Sequence, residues 1–165
     1  MTGLDVTKEK IIEVAGIITD TDFNELSEYH AVIQQDQTIL DAMDDWNKTH
    51  HAKSGLLELI PSGKDQNTVE QELITWTKEF FTEERAILAG NSIGQDRLFI
   101  DNHMQDFAAT LHYRLLNVTS WKIPFWVQGI EMKKRNGHRA MDDIRESIEE
   151  LKFYLSYVNF SSKNK

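Results

Sequence analysis

The chain has 165 residues, a formal net charge of -9 and 40% hydrophobic residues, which is typical of one globular domain with a substantial core. It contains no cysteine, so disulfides and thiolate metal sites are excluded, and nothing points to secretion. No apolar run approaches the roughly 20 residues of a membrane span. The acidic balance argues against coating of long or duplex nucleic acid, yet it allows a small phosphorylated substrate and suits metal-binding carboxylates.

The first third of the chain predicts a β-hairpin followed by a helix. Residues 10–19 are β-branched and nearly continuously apolar, and residues 20–22 read as a turn. Residues 23–34 alternate between apolar and polar side chains, as an antiparallel return strand would. The pattern of residues 38–48 is helical and places Trp46 near the end of that helix.

The middle of the chain predicts a long capped helix and then a buried strand. Residues 49–55 read as a polar connection and residues 56–60 as a short helix. Thr68 and Gln71 match a capping box, so the long helix is expected to begin there. Residues 87–89 (Ile-Leu-Ala) read as a short buried strand, which a Gly-Asn-Ser turn follows.

The second half of the chain alternates helices and strands. Two helices are expected after the turn, one carrying Asp96 and one running through Phe107, and residues 113–118 read as another strand. Residues 120–128 are rich in Trp and Phe and contain a proline, so the pattern assigns no element there. A final helix begins near His138. This order predicts an α/β fold with an antiparallel hairpin first and parallel strands later.

Residues 137–148 form a first candidate site. His138 stands just before an amphipathic helix, and Asp143 lies next to its apolar edge, where a lone carboxylate is costly unless it is paired or holds a cation. An imidazole near a half-buried carboxylate is a candidate metal-and-base site. A purely structural interpretation is also open, because acidic residues early in a helix interact favourably with its dipole.

Further candidates combine one carboxylate with aromatic and cationic side chains. Asp96 follows the Gly-Asn-Ser turn, at the sheet edge where ligands of α/β proteins gather, although an acid early in a helix is ordinary. Trp46 could stack on a base, and His50 and Arg114 could bind phosphate. Structural alternatives are a core position for Trp46, a strand edge for Tyr113 and a surface ion pair for Arg114.

Taken together, these motifs resemble the oligoribonucleases, small 3′→5′ exoribonucleases of the DEDDh superfamily. The matching segments follow in order over nearly the whole chain: MTGL at 1–4, MDDWN at 43–47, GNSIGQD at 90–96, HYR at 112–114 and HRAMDDIRES at 138–147. The resemblance implies an RNase H-like mixed sheet flanked by helices. It also implies two-metal hydrolysis of a phosphodiester with Mg²⁺ or Mn²⁺, and a homodimer in which Tyr113 reaches the other subunit's active site.

The resemblance also implies roles for individual residues. Asp96 and Asp143 match metal-binding carboxylates, and His138 matches the general base that takes a proton from the attacking water. Leu4 and Trp46 match apolar residues that hold the bases of a very short RNA. The residues that match the cap over the 5′ phosphate, which limits substrate length, are Ser92, His50, Arg114 and Thr119.

Two features depart from the family pattern. The family's first motif, Asp-x-Glu, directly precedes Met-Thr-Gly-Leu, whereas this sequence starts at Met1. We therefore expect the first strand and its two carboxylates to be missing, which leaves Asp96 and Asp143 as too few anionic ligands for two divalent ions. The family also usually has a helix with a basic pair and a tryptophan at residues 120–132, whereas this segment is shorter and carries a proline, and Asn117 replaces an aspartate.

Two hypotheses about function follow. In the first, the chain belongs to an oligoribonuclease whose given sequence starts late, and the DNA upstream of Met1 encodes an apolar strand that ends in Asp-x-Glu. In the second, it is a non-catalytic relative that binds short RNA, or a dimer partner that lends Tyr113 to a complete subunit. Residues 1–4 resemble neither a signal peptide nor a presequence. We expect a single domain over residues 1–165 in an intracellular protein, cytoplasmic or mitochondrial.

Overall fold

The structure is a computed structural model that describes residues 1–133 and 140–158. Its strands are β1 (Glu13–Thr19), β2 (Glu25–Val32), β3 (Ala86–Gly90) and β4 (Leu111–Asn117). The helices of the first half are α1 (Gln37–Ala42), α2 (Asp45–Lys53), α3 (Leu56–Leu59) and α4 (Gln66–Phe80), with a 3₁₀ turn at Ile60–Ser62. The helices of the second half are α5 (Ile93–His103), α6 (Gln105–Thr110), α7 (Val118–Val127) and α8 (Ala140–Leu155).

Strands β1 and β2 form the predicted antiparallel hairpin. Glu13 lies opposite Val32 at the open end of the ladder, and the register shifts near the turn, at Thr19. The turn is closed by the Asp20 carboxylate, which accepts the backbone N–H groups of Asp22 and Asn24, both at 2.9 Å. A short acidic side chain that bonds its own backbone two residues on is the ordinary reason for a turn at such a sequence.

Strands β3 and β4 pair in parallel, with Leu88 beside Leu115 and Gly90 beside Asn117. The described strands thus form two two-stranded sheets, one antiparallel and one parallel. Helices pack against both sheets, and α8 contacts β1 as well as β3. The predicted order, with the antiparallel hairpin first and the parallel strands later, is confirmed.

The core consists of two apolar clusters that the sheets and helices enclose. The larger lies between the hairpin, α4 and the α5–α6 corner, and its members are Ile11, Ala31, Ile33, Val69, Leu73, Phe99, Met104, Phe107 and Leu111. The smaller lies between the hairpin and α1–α3, and its members are Ile12, Leu40, Met43, Leu56 and Ile60. Neighbouring residues Ile11 and Ile12 enter different clusters because alternate side chains of an extended segment point to opposite sides.

The predicted helix over residues 38–48 is wrong in its bounds. The structure has two helices there, because the Asp44 side chain accepts the Asn47 N–H at 2.8 Å and starts a new helix. Helix α2 then continues to Lys53, so the predicted polar connection over residues 49–55 is mostly helical. Trp46 consequently lies in the first turn of a helix rather than near the end of one.

The predicted capping box at Thr68 is also wrong. The Asp65 carboxylate accepts the N–H groups of Asn67 at 2.9 Å and Thr68 at 3.2 Å, so α4 begins at Gln66. Aspartate is a preferred N-cap residue, and its position sets the start of the helix.

The segment for which the pattern assigned no element is a helix. Helix α7 contains Pro124, and Asn117 caps it by accepting the Thr119 N–H at 3.1 Å. The predicted burial of β3 holds for only part of the strand, since Ala86 and Leu88 pack on the core while Ile87 is 54% exposed. Among the residues that the structure describes, no helix is long and apolar enough to cross a membrane.

Candidate active site

The first residues of the chain lie against both α2 and α5. The His51 Nε2 atom is 3.0 Å from the Met1 carbonyl oxygen, and the Gln95 side-chain amide donates to the Leu4 carbonyl at 2.7 Å. Because the backbone of Leu4 is held in this way, its side chain is presented to solvent and is 75% exposed. The segment therefore places an apolar side chain beside the start of α5.

Asp96 lies in the first turn of α5 and is half-buried. Burial raises the pKa of its carboxyl group, although its own backbone N–H and the Met1 α-amino group oppose the shift. Burial likewise lowers the pKa of the Met1 amino group, against the attraction of the Glu13, Asp96 and Glu9 carboxylates. Asp96 therefore lies near the Met1 amino group and is partly shielded from water. In such an environment a nearby cation stabilises the ionised carboxylate.

Asp143 lies in the first turn of α8, as the sequence predicts, but it is exposed rather than half-buried. Its backbone carbonyl accepts the Ser147 hydroxyl at 2.9 Å. Two turns further on, Glu150 is buried instead, with 1% exposure. The apolar side of α8 therefore includes a carboxylate that the sequence pattern did not reveal.

Two of the residues matched to the 5′-phosphate cap lie in direct contact. The Ser92 backbone N–H donates to the Thr119 hydroxyl oxygen at 3.0 Å. Ser92 has a φ of 51° and stands between β3 and α5, while Thr119 is in the first turn of α7. The loop after β3 and the start of α7 thus form one polar corner, next to the helix that carries Asp96.

The aromatic candidates are exposed and have stacked neighbours. The rings of Trp46 and His50 lie 4.8 Å apart and nearly parallel at 9°, and Trp46 is 69% exposed. Tyr113 is 74% exposed, and the guanidinium carbon of Arg114 lies 5.2 Å from its ring centre. Flat rings that are open to solvent and flanked by cationic or imidazole groups suit bases and phosphates.

Three polar residues of this region do not stand out in the sequence pattern. His51, the neighbour of the predicted His50, is half-buried, and burial lowers its pKa while the bond to Met1 opposes the shift. Gln95 precedes Asp96 and holds Leu4, and Asn91 precedes Ser92 and contacts Thr119. Each lies directly beside a predicted residue in the sequence, which is the one signal that could have found them.

The described carboxylates do not by themselves form a metal centre. Within residues 1–133 and 140–158, no group of three or more His, Cys, Asp or Glu side chains could hold a metal ion. Asp96 and Asp143 offer the hard oxygen donors that Mg²⁺ and Mn²⁺ prefer. Two carboxylates are too few for two closely spaced ions, so these residues alone do not fit a two-metal site. His138, the predicted base, lies outside the described residues.

Comparison with known proteins defines the class to which this fold belongs. The model of the Exonuclease family matches residues 1–151, and the chain belongs to that family. Such exonucleases generally use divalent metal ions.

Two relatives place the chain more narrowly. A protein of Francisella tularensis subsp. novicida named oligoribonuclease is 42% identical over 158 residues, which cover 93% of this chain and 89% of that protein. A mouse protein named mitochondrial oligoribonuclease is 42% identical over 165 residues, which cover 96% of this chain and 70% of that protein. These similarities confirm the resemblance to the oligoribonucleases.

Proposed function

We propose that this chain is a 3′→5′ exoribonuclease that hydrolyses very short RNA to nucleoside 5′-monophosphates. The observation that carries the proposal is its similarity, at 42% identity over 89% of the relative, to a protein named oligoribonuclease. The surroundings of Asp96 support it, because the exposed Leu4 and the polar corner of Ser92 and Thr119 both contact the start of the helix that carries this half-buried carboxylate.

Leu4 and Trp46 are proposed to hold the bases of the substrate. Both side chains are largely exposed, so each leaves apolar area in water that a planar base would cover. The stack with His50 fixes the orientation of the Trp46 indole and leaves one ring face for a base.

We propose a cap for the 5′ phosphate that consists of Ser92, Thr119, Arg114 and His50. The Ser92 hydroxyl can donate to a phosphate oxygen, and arginine adds a charge with a planar set of donors. The Thr119 hydroxyl accepts the Ser92 N–H and so holds the loop that presents this serine. The contact between Ser92 and Thr119 supports this role for two of the four. A cap at this point would leave room for only a few nucleotides between the 5′ end and the scissile bond.

Asp96 and Asp143 are proposed as two ligands of Mg²⁺ or Mn²⁺, and His138 as the general base. The remaining ligands have to come from outside the described residues. The Met1 amino group lies close enough to Asp96 to shift its pKa, so a segment joined to Met1 would end beside that carboxylate. An Asp-x-Glu in that segment would add two carboxylates where the described set is incomplete.

A second candidate function is that of a non-catalytic protein that binds short RNA. Among the described residues, no three His, Cys, Asp or Glu side chains are grouped so that they could hold a metal ion, which favours it. It differs from the first proposal in one respect that an assay can measure, because it keeps the base and phosphate contacts but lacks hydrolysis.

The test compares the 165-residue chain with a version extended before Met1 by an apolar strand ending in Asp-x-Glu. Each is incubated with a 5′-phosphorylated dinucleotide and Mn²⁺, and nucleoside monophosphate is quantified. We expect hydrolysis by the extended chain and a loss of about a thousandfold on His138→Ala, since a general base typically contributes 10²–10⁴.

The outcomes separate the two candidates. Turnover by the 165-residue chain itself that His138→Ala abolishes would exclude the non-catalytic function. An extended chain that stays inert while folded and dimeric would refute the roles proposed for Asp96, Asp143 and His138.

We infer further that the protein acts in the cytoplasm or in mitochondria. One relative carries a mitochondrial name, which supports the second compartment. Imaging of a fusion made from the complete gene would decide between the two.

A further inference from the structure

A continuous chain of hydrogen bonds joins the proposed phosphate cap to α8. The Ser92 N–H donates to Thr119 Oγ1 at 3.0 Å, and the Thr119 hydroxyl donates to Asn91 Oδ1 at 3.2 Å. The Asn91 amide nitrogen then donates to Ser147 Oγ at 2.9 Å, and the Ser147 hydroxyl donates to the Asp143 carbonyl at 2.9 Å. Every donor in this chain points in the same direction, the arrangement in which successive hydrogen bonds polarise one another.

Asn91 is anchored at the centre of this chain by a buried carboxylate. Its amide nitrogen also donates to Glu150 Oε2 at 3.0 Å, and Glu150 is 1% exposed. The Tyr154 hydroxyl donates to the other oxygen of Glu150 at 3.3 Å, and Lys122 Nζ lies 3.8 Å from it. A buried carboxylate needs such partners, so displacing the Asn91 amide is costly.

The Glu150 carboxylate also determines which way each group in the chain points. The NH₂ group of Asn91 donates to a Glu150 oxygen and so faces α8, which leaves the amide oxygen of Asn91 facing Thr119. A threonine hydroxyl has one proton, and here that proton goes to Asn91, so the lone pairs turn to the Ser92 N–H. The rotamer of Thr119 and the position of the Ser92 loop are therefore both held through Asn91.

We propose that Asn91 is a positioning residue that couples the 5′-phosphate cap to the segment of α8 that carries Asp143. This inference rests on the proposed function, because it takes Ser92 and Thr119 as the cap. Preorganised groups bind a ligand more tightly, since less ordering remains for the binding step. A change on α8 that loosens Asn91 is thus expected to weaken recognition of the 5′ phosphate, although α8 does not contribute to the cap.

The experiment measures how strongly the chain prefers a 5′-phosphorylated dinucleotide over the same dinucleotide with a 5′ hydroxyl. Both dissociation constants are obtained with EDTA present, so that hydrolysis is prevented, and their ratio is the phosphate preference. Because both ligands titrate the same sample, the ratio is insensitive to a partly unfolded fraction.

We expect Ser147→Ala to lower the phosphate preference about threefold and Asn91→Ala about tenfold, the scale of one net hydrogen bond or somewhat more. In the double variant, Ser147→Ala should have no further effect, because its influence passes through Asn91. Thr119→Ser, which keeps the hydroxyl, should retain the preference. Asn102→Ala is the matched control, since that exposed side chain bonds the Leu98 carbonyl within its own helix.

Ser147→Ala keeps the test decisive if Asn91→Ala fails to fold, because Ser147 is half-buried and the substitution leaves Glu150 bonded to Asn91. An unchanged phosphate preference in Ser147→Ala, with both ligands still bound, would overturn the coupling alone. An effect of Ser147→Ala that persists in the Asn91→Ala background would overturn it too. If the wild-type chain binds neither dinucleotide, the proposed function fails as well.

Discussion

At the scale of single residues, Asp96 and His51 are held in places that disfavour their charged forms. Burial raises the pKa of Asp96 and lowers the pKa of His51. A half-buried carboxylate that disfavours its own ionisation lowers the stability of the fold at neutral pH. Such a carboxylate is expected where a cation binds, because the positive charge of the cation stabilises the ionised form.

Asp96→Asn is predicted to raise the thermal midpoint at neutral pH. The folded pKa of Asp96 lies above its unfolded value, so the native state is favoured at low pH and loses stability as the pH rises from about 4 through the raised pKa. The advantage of the variant should therefore shrink as the pH approaches about 4, where the Asp96 carboxyl group becomes protonated in the folded and in the unfolded state.

Thermal unfolding of the wild type and the variant between pH 4 and pH 8 checks this prediction. Asp22→Asn, at an exposed position in the hairpin turn, is the matched control and should show no comparable trend. A lower midpoint for Asp96→Asn at neutral pH would contradict the argument, because it would mean that the fold stabilises the charge.

At the scale of elements, α8 connects the two halves of the molecule. Its Arg145 pairs with Glu25 and Glu28 on β2, while Asn91 after β3 bonds Ser147. The Arg145 pairs are exposed, so they orient the helix more than they stabilise it. The helix that carries Asp143 is thus held at one end by the hairpin and along its side by the parallel pair.

Two glycines, one in α5 and one directly after the 3₁₀ turn, should respond oppositely to alanine. A Cβ at Gly94, in the first turn of α5, would have no neighbour within 4 Å, whereas one at Gly63 would lie 2.7 Å from the Gln34 nitrogen. Gly94→Ala should raise the free energy of unfolding by about 0.5–1 kcal/mol, since alanine is the better helix former. Gly63→Ala should lower it by more than about 1 kcal/mol, because rigid backbone has to move.

Urea unfolding of the two variants beside the wild type measures both changes. They share the same added methyl group, so each serves as the control for the other. A destabilised Gly94→Ala variant would show that α5 needs a glycine within the fold itself.

At the scale of the whole molecule, the parallel half of the protein leaves apolar side chains in solvent. Exposed Ile87, Leu98, Tyr113 and Leu115 lie on β3, α5 and β4, which contact one another. Large apolar side chains left in solvent on neighbouring elements are typical of an interaction surface. We propose that a second copy of the chain covers it, which would bring Tyr113 to the neighbouring subunit.

Sedimentation analysis at about 10 µM is expected to show a dimer, because specific interfaces usually have dissociation constants below this concentration. Leu98→Glu should shift the protein to the monomer, because a charge cannot be buried unpaired in an interface. Leu26→Glu, at a similarly exposed leucine on the hairpin, should stay dimeric. A wild-type monomer, or dissociation by the Leu26 variant alone, would contradict this choice of surface.

The sequence by itself determined the hairpin, the main helices and the set of candidate residues. Periods of two and of three to four residues are local properties, so β1, β2, α4 and α8 could be predicted from side-chain patterns. The motifs around Asp96 and His138 identified the family because they place chemically distinctive residues at fixed spacings. The predicted start of α4 and the predicted single helix over residues 38–48 were wrong, because several polar side chains in these segments can cap a helix.

The tertiary structure decided which of these residues meet. The contact of Ser92 with Thr119 spans 27 positions, and that of Asn91 with Ser147 spans 56, so no local pattern contains either one. The burial of Glu150, the exposure of Asp143 and the position of His51 against Met1 likewise depend on how helices pack on the sheets. A sequence reports the chemistry that each residue brings, whereas partners and burial follow only when distant elements pack together.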